Sequence, residues 1–259
     1  MRIPLYQIDA FTKQVLQGNP AAVCPLREWP DDALLQAVAA ENNLSETAFF
    51  VGGAGRYRLR WFTPTTEIDL CGHATLAAAH VLYRELAVES GEIVFDSRSG
   101  PLTVRQDGQR ITMDFPRREV RPHGETAALA AALGLAPGRV LEADHLMAVF
   151  DDETAVSALR PNQRLLEQLD AALVIATAPG RNSDYVCRVF APKMGIAEDP
   201  VTGSAHCLLA PYWAERLGKT ELFARHLSPR GGEVYCDLSD SGVRIAGHTV
   251  KYLQGELFL

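Results

Sequence analysis

The sequence predicts an α+β protein of two pseudo-symmetric domains. Two observations predict the class: short alternating or β-branched runs outnumber helical patterns, and helices do not alternate one-for-one with strands. A third predicts the division, because a motif of the first half returns in the second.

In chain order, strands are predicted at 3–10, 46–51, 57–62, 92–95, 102–105 and 110–115, and again at 173–176, 185–190, 232–238, 242–245 and 250–259. Helices are predicted at 31–41 after the Trp29-Pro30 stop, and at 74–86, 126–133, 164–170 and 204–217. The stretch from Pro116 to Gly124 is polar and bracketed by prolines, so it reads as a linker between a first domain over 1–117 and a second over 118–259. The last strand is a candidate to return to the first domain.

Phe62-Thr63-Pro64 leads through Glu67 and Asp69 to Gly72-His73-Ala74-Thr75 and an alanine-rich helix. Phe190-Ala191-Pro192 leads through Glu198 and Asp199 to Thr202-Gly203-Ser204-Ala205 and a helix that reaches Trp213. Such recurrence half a chain apart is what a duplicated domain leaves behind.

With 259 residues, 47% of them hydrophobic, the chain can bury a substantial core. Its formal net charge of -7, with Lys and Arg scattered, offers no basic face and argues against nucleic acid. No apolar stretch is long enough for a bilayer and the N-terminus lacks a signal-peptide pattern, so a cytoplasmic protein without a membrane partner is expected. Five cysteines, odd in number and without a CxxC pair, fit reduced thiols.

Each half places a small-residue turn before a helix. Free N–H groups and the positive end of the helix dipole make such a turn an anion site, with Gly72 and Gly203 allowing close approach beside Ala74, Thr202 and Ser204. The same turns also read as ordinary caps; recurrence in both halves favours the anion site. Glu46 lies where a helix gives way to an apolar strand; it reads either as a capping or surface glutamate or, partly out of water, as a carboxylate suited to carry a proton, with an apolar wall expected from Leu44, Phe49 and Phe50. His73 and Asp199 sit at the two turns and could orient a substrate or tune the base.

Cys71, His73 and His80, with His206 and Cys207, invite a zinc hypothesis, but their spacing is not that of paired ligands and no HExxH motif occurs. No metal is expected. No arginine follows Cys71 as a thiol phosphatase would need, and no GxGxxG or P-loop sequence signals a nucleotide.

Four segments, Asp9-Ala10-Phe11-Thr12 with Gly18-Asn19-Pro20-Ala21-Ala22-Val23, Asn43-Leu44-Ser45-Glu46-Thr47, Asp69-Leu70-Cys71-Gly72-His73-Ala74-Thr75 and Glu198-Asp199-Pro200-Val201-Thr202-Gly203-Ser204-Ala205, together resemble the phenazine biosynthesis PhzF-like family. The resemblance runs from Tyr6 to the Gly255-Glu256-Leu257 ending. It implies a diaminopimelate epimerase-like fold, each half a β-barrel-like sheet around a central helix with the active site between the halves, a homodimer, no cofactor and a small anionic substrate. It further implies an isomerase in which Glu46 moves the proton, with His73, Asp199 and Ser204 as the other polar site positions. The related epimerases use two cysteines; Cys71 stands at the first position, but Thr202 occupies the second, and a hydroxyl is far too weak an acid to replace a thiol. The alternatives are an amino-acid racemase or epimerase, and a small-anion-binding protein without turnover.

Overall fold

A computed structural model of the chain describes residues 1–124, 126–240 and 242–259. They form two compact units, Met1–Asp114 with Ala246–Leu259, and Phe115–Ile245, against an expected boundary after Arg117. Among the described residues no helix is long and apolar enough to cross a membrane.

In the first unit the strand Arg2–Ala10 is flanked on one side by Thr249–Phe258 and on the other by Asn19–Pro25, both antiparallel. From Asn19–Pro25 the sheet continues through Glu46–Gly53 (parallel), Arg56–Phe62 (antiparallel), Glu92–Ser97 (parallel) and Gly100–Asp107 (antiparallel). The turn before Asn19 needs glycine: Gly18 has φ +65°, and a Cβ there would stand 2.1 Å from the Ala10 carbonyl oxygen.

The helix Gly72–His80 is the centre of this unit. It packs on the strands Arg2–Ala10, Asn19–Pro25 and Glu46–Gly53, and His73 through His80 are all buried. A helix buried all round cannot be amphipathic, and alanines at 74, 77, 78 and 79 let strands approach on several sides. Its last turn, Val81–Glu85, widens to a π-turn in which Leu86 N–H reaches the Val81 carbonyl at 2.9 Å, so the single helix predicted over 74–86 is two segments. The helix Asp32–Asn42 ends on Asn43 in the left-handed conformation, φ 49°, and buries Leu35, Val38 and Ala39 against Ile3, Cys24, Phe49 and Phe62.

The second unit repeats the pairing order. Arg139–Glu142 pairs antiparallel with Leu146–Val149, which runs parallel to Val174–Pro179. Tyr185–Ala191 follows antiparallel, Glu221–His226 parallel and Gly232–Ser239 antiparallel. In each unit a short strand folds back on the fourth member of this series, Glu67–Ile68 on Arg56–Phe62 and Ile196–Asp199 on Tyr185–Ala191, just before the turn with Gly72 or Gly203.

In both units a bidentate ion pair ties that fold-back down. Arg60 Nε donates to Glu67 at 2.7 Å and Arg188 Nε to Glu198 at 2.8 Å, and each guanidinium lies 5.1 Å from the centroid of the phenylalanine two residues on, Phe62 or Phe190. The helix His206–Leu217 buries His206 through Ala210 with Tyr212 and Trp213, and carries Pro211, whose missing N–H frees the Cys207 carbonyl; Arg118 N–H takes that carbonyl at 2.8 Å.

Candidate active site

Glu46 opens its strand beside the left-handed Asn43, and the Asn42 amide donates to Thr47 Oγ1 at 3.1 Å, fixing the step from helix to strand. Strand alternation then turns Glu46 to the face of the central helix and Phe49 to the opposite face, where it packs with Leu35 and Phe62. Phe49 is therefore not part of a wall around the carboxylate, as its place three residues along had suggested. Glu46 is 7% exposed and its Oε2 stands 3.0 Å from Nε2 of His73, itself 5% exposed.

The far nitrogen of His73, Nδ1, lies 3.2 Å from Asn19 Nδ2 and 3.5 Å from Cys71 Sγ. With the amide in this orientation Nδ1 accepts and Nε2 carries the proton that faces Glu46; with the amide reversed, its oxygen takes an Nδ1 proton and the ring can be an imidazolium. Burial opposes a charge on His73 and is the largest single influence, but Cys71 and Glu46 together outweigh it and hold its pKa well above the ordinary histidine range. Burial, reinforced by the Glu46 charge, pushes the Cys71 thiol up. The thiol is thus protonated at neutral pH, and His73 is held between Cys71 at its Nδ1 and Glu46 at its Nε2.

The first unit thus gathers Glu46, His73, Gly72 and Ala74 with Cys71. In the second unit Asp199 is half-buried on the fold-back strand, and its Oδ2 accepts the Thr202 hydroxyl at 2.5 Å. Gly203 and Ser204 form a 3-10 turn that enters the helix His206–Leu217. Neither Cys71 nor Thr202 makes a side-chain cap, so neither turn is an ordinary N-cap, and Thr202 is committed to Asp199.

Two features escaped the sequence reading. Asn19 carried no mark beyond its place in Gly18-Asn19-Pro20, yet it is wholly buried and touches the histidine. Glu67 and Glu198, read as acidic approaches to the turns, are structural partners of Arg60 and Arg188. His80, grouped with possible zinc ligands, instead has Nδ1 2.7 Å from Thr249 Oγ1.

The sequence profile of the PhzC-PhzF family, described as phenazine biosynthesis-like protein, matches residues 8–255. The chain belongs to this family. A Pseudomonas aeruginosa member named as an uncharacterized isomerase is 50% identical over the full length of both chains. The crystal structure of a PhzF-family phenazine biosynthesis protein of Enterococcus faecalis is 44% identical and superposes over the whole of both chains with a TM-score of 0.98. A probable proline racemase from Agrobacterium radiobacter shares only 10% identity but has a TM-score of 0.68, covering 99% of this chain and 93% of the other, and shows the wider racemase-like fold. The expected α+β epimerase-like architecture is therefore the fold of this family member.

Proposed function

We propose that the protein is a cofactor-independent isomerase that shifts a proton on a small unsaturated, amino or hydroxy carboxylic acid through Glu46. The observation that carries this reading is the buried Glu46–His73 pair at 3.0 Å. The carboxylate and the imidazole are an ion pair rather than an aligned hydrogen bond, since Oε2 and Nε2 each lack a hydrogen-bond partner, and they form an acid–base couple: Glu46 takes the substrate proton and returns it to a second carbon, while His73 holds or relays the compensating charge. Asn19 is a positioning residue that sets which nitrogen of His73 is protonated. The N–H groups at Gly72 and Ala74 are assigned to a substrate carboxylate, and in the second unit Asp199 orients the turn of Gly203 and Ser204 through Thr202.

The isomerase name of a half-identical, full-length relative supports the reaction class. Racemisation by two thiols receives no support, because Cys71 is held protonated and Thr202 replaces a second cysteine.

The test is hydrogen exchange in D2O, followed by NMR, on a panel of small unsaturated, amino and hydroxy acids. Wild-type protein should exchange one carbon-bound hydrogen of an active acid, and Glu46→Gln should slow this at least about a hundredfold. Near-normal exchange in Glu46→Gln, with abolition in Cys71→Ala, would overturn the assignment in favour of cysteine chemistry.

A further inference from the structure

We infer that the second unit binds an acidic amino acid in a cavity between its sheet and the end of the helix His206–Leu217. The cavity has a volume of about 310 Å³, at the small end of the range for small-molecule sites. It is separate from the turn that opens the helix, because Arg216 on its rim lies about 20 Å of helical rise beyond Gly203.

One face of the sheet forms one wall. Arg139 is the register partner of Val149, and Val149 that of Thr177, so the three side chains make a row on a single face. The helix lies over this row, since Trp213 Nε1 donates to Thr177 Oγ1 at 3.0 Å. After Val149, Phe150 turns into the core on the opposite face and Asp151 turns back to the cavity. Asp151 is thereby the diagonal neighbour of Arg139.

The charges on this lining are uncommitted. Arg139, Asp151 and Arg216 are all exposed, and among the described residues none of the three has an ion-pair partner, whereas Arg60 and Arg188 are clamped by carboxylates. Long side chains at diagonal positions can reach one another, yet Arg139 and Asp151 stay apart. Arg216 lies over the Tyr212 ring, 4.5 Å from its centroid, which steadies the guanidinium and leaves its N–H groups available. A Cβ at Gly138 would stand 3.3 Å from Asp151 Oδ1, so a larger residue there would crowd the carboxylate.

Two guanidiniums and one carboxylate are the complement of two carboxylates and one ammonium, the charges of glutamate or aspartate at neutral pH. Each guanidinium can donate two parallel hydrogen bonds to a carboxylate, and Asp151 can accept from the ammonium. Val149, Pro179 and Trp213 supply apolar surface for the short carbon stem. An inorganic anion would satisfy the arginines but be repelled by Asp151.

The test is calorimetric titration of the whole protein with L-glutamate, using glutarate, L-glutamine and inorganic phosphate as comparisons and the 15N NMR signal of the Trp213 indole as a local reporter. L-Glutamate should bind one equivalent with a Kd of about 1 mM or tighter and shift the Trp213 signal. Glutarate lacks the ammonium and L-glutamine lacks one carboxylate; each should bind at least about tenfold more weakly, the factor expected for one charge-assisted hydrogen bond. Arg139→Gln and Arg216→Gln should weaken L-glutamate by a similar factor, and Asp151→Asn should weaken L-glutamate without weakening glutarate. All three side chains are exposed, so the variants should keep the wild-type thermal midpoint, which separates lost binding from lost structure. Absence of saturable L-glutamate binding overturns the inference. So does equal affinity for glutarate or phosphate, or binding that survives both arginine substitutions.

Discussion

Replacing Glu46 by glutamine keeps the shape of the side chain and removes the charge that faces His73. At 3.0 Å and an effective dielectric of about 20, the attraction between a carboxylate and an imidazolium is about 5–6 kcal/mol, while both side chains, 9% and 5% exposed, have given up most of their hydration. In Glu46→Gln the attraction is gone and the burial remains, so the neutral ring is favoured. The pKa of His73, held well above the ordinary histidine range in the wild type, should fall below that of the wild type by an amount NMR resolves easily. The sign for stability follows. A raised folded-state pKa contributes stability that is complete below the unfolded histidine value and is lost as pH rises through the folded value. Wild-type protein should therefore lose stability as the pH climbs above the ordinary histidine range, and Glu46→Gln should not. The assay is a 15N NMR titration of His73 together with urea unfolding at stepped pH. An unchanged His73 titration in Glu46→Gln would refute the electrostatic coupling on which the proposed chemistry rests.

Other outcomes are expected at positions outside this pair. Cys71→Ala should lower turnover less than tenfold, against about a hundredfold or more for Glu46→Gln, and native Cys71 should react slowly with a soluble alkylating agent at pH 7, because burial pushes its thiol up. Glu198→Ala should cost about 3–5 kcal/mol in urea unfolding by stranding Arg188, and Arg188→Met combined with Glu198→Leu should recover most of that loss. His80 is pushed down to about 4, by burial first and then by Arg84 and Lys251 against an opposing Glu85, while Thr249 occupies its Nδ1. Because the unfolded histidine binds its proton first, this group contributes stability above its unfolded value that drains away as pH falls towards 4, at about 1.4 kcal/mol per pH unit. In His80→Gln the acid limb of stability against pH should be flatter.

The parts of the fold that were legible in the sequence are those whose two faces differ. Arg56–Phe62 buries Tyr57, Leu59 and Trp61 while Arg56 and Arg58 stay exposed, and alternation of this kind announces a strand. Asn19–Pro25 was not predicted, because a strand covered on both faces has no alternation to show, and a proline near each end reads as a turn. Glu221–His226 was missed for a related reason: its inward residues are Leu222, Ala224 and His226, too mixed in character to look like a core face. The same logic divides the site. Glu46, His73 and the two glycine turns stood out through recurrence and family motif, whereas the contact of Asn19 with His73 arises from a crossing of strand and helix that no local pattern encodes. The expected place of Phe49 beside Glu46 failed because proximity in sequence was weighed ahead of the two-residue period of a strand.

The pairing of Arg2–Ala10 with Thr249–Phe258 also sets a timetable for synthesis. The second unit, Phe115–Ile245, is continuous in sequence and can close as soon as it leaves the ribosome. The first unit cannot. Its opening strand emerges earliest and gains Asn19–Pro25 on one side within moments, but its other edge must wait until Thr249–Phe258 has been made. During that interval a nine-residue strand presents unpaired backbone groups, the kind of edge on which chains join one another. Slowing translation across the second unit would lengthen the exposure and raise the share of newly made chains lost to aggregation, with the finished native state unaltered.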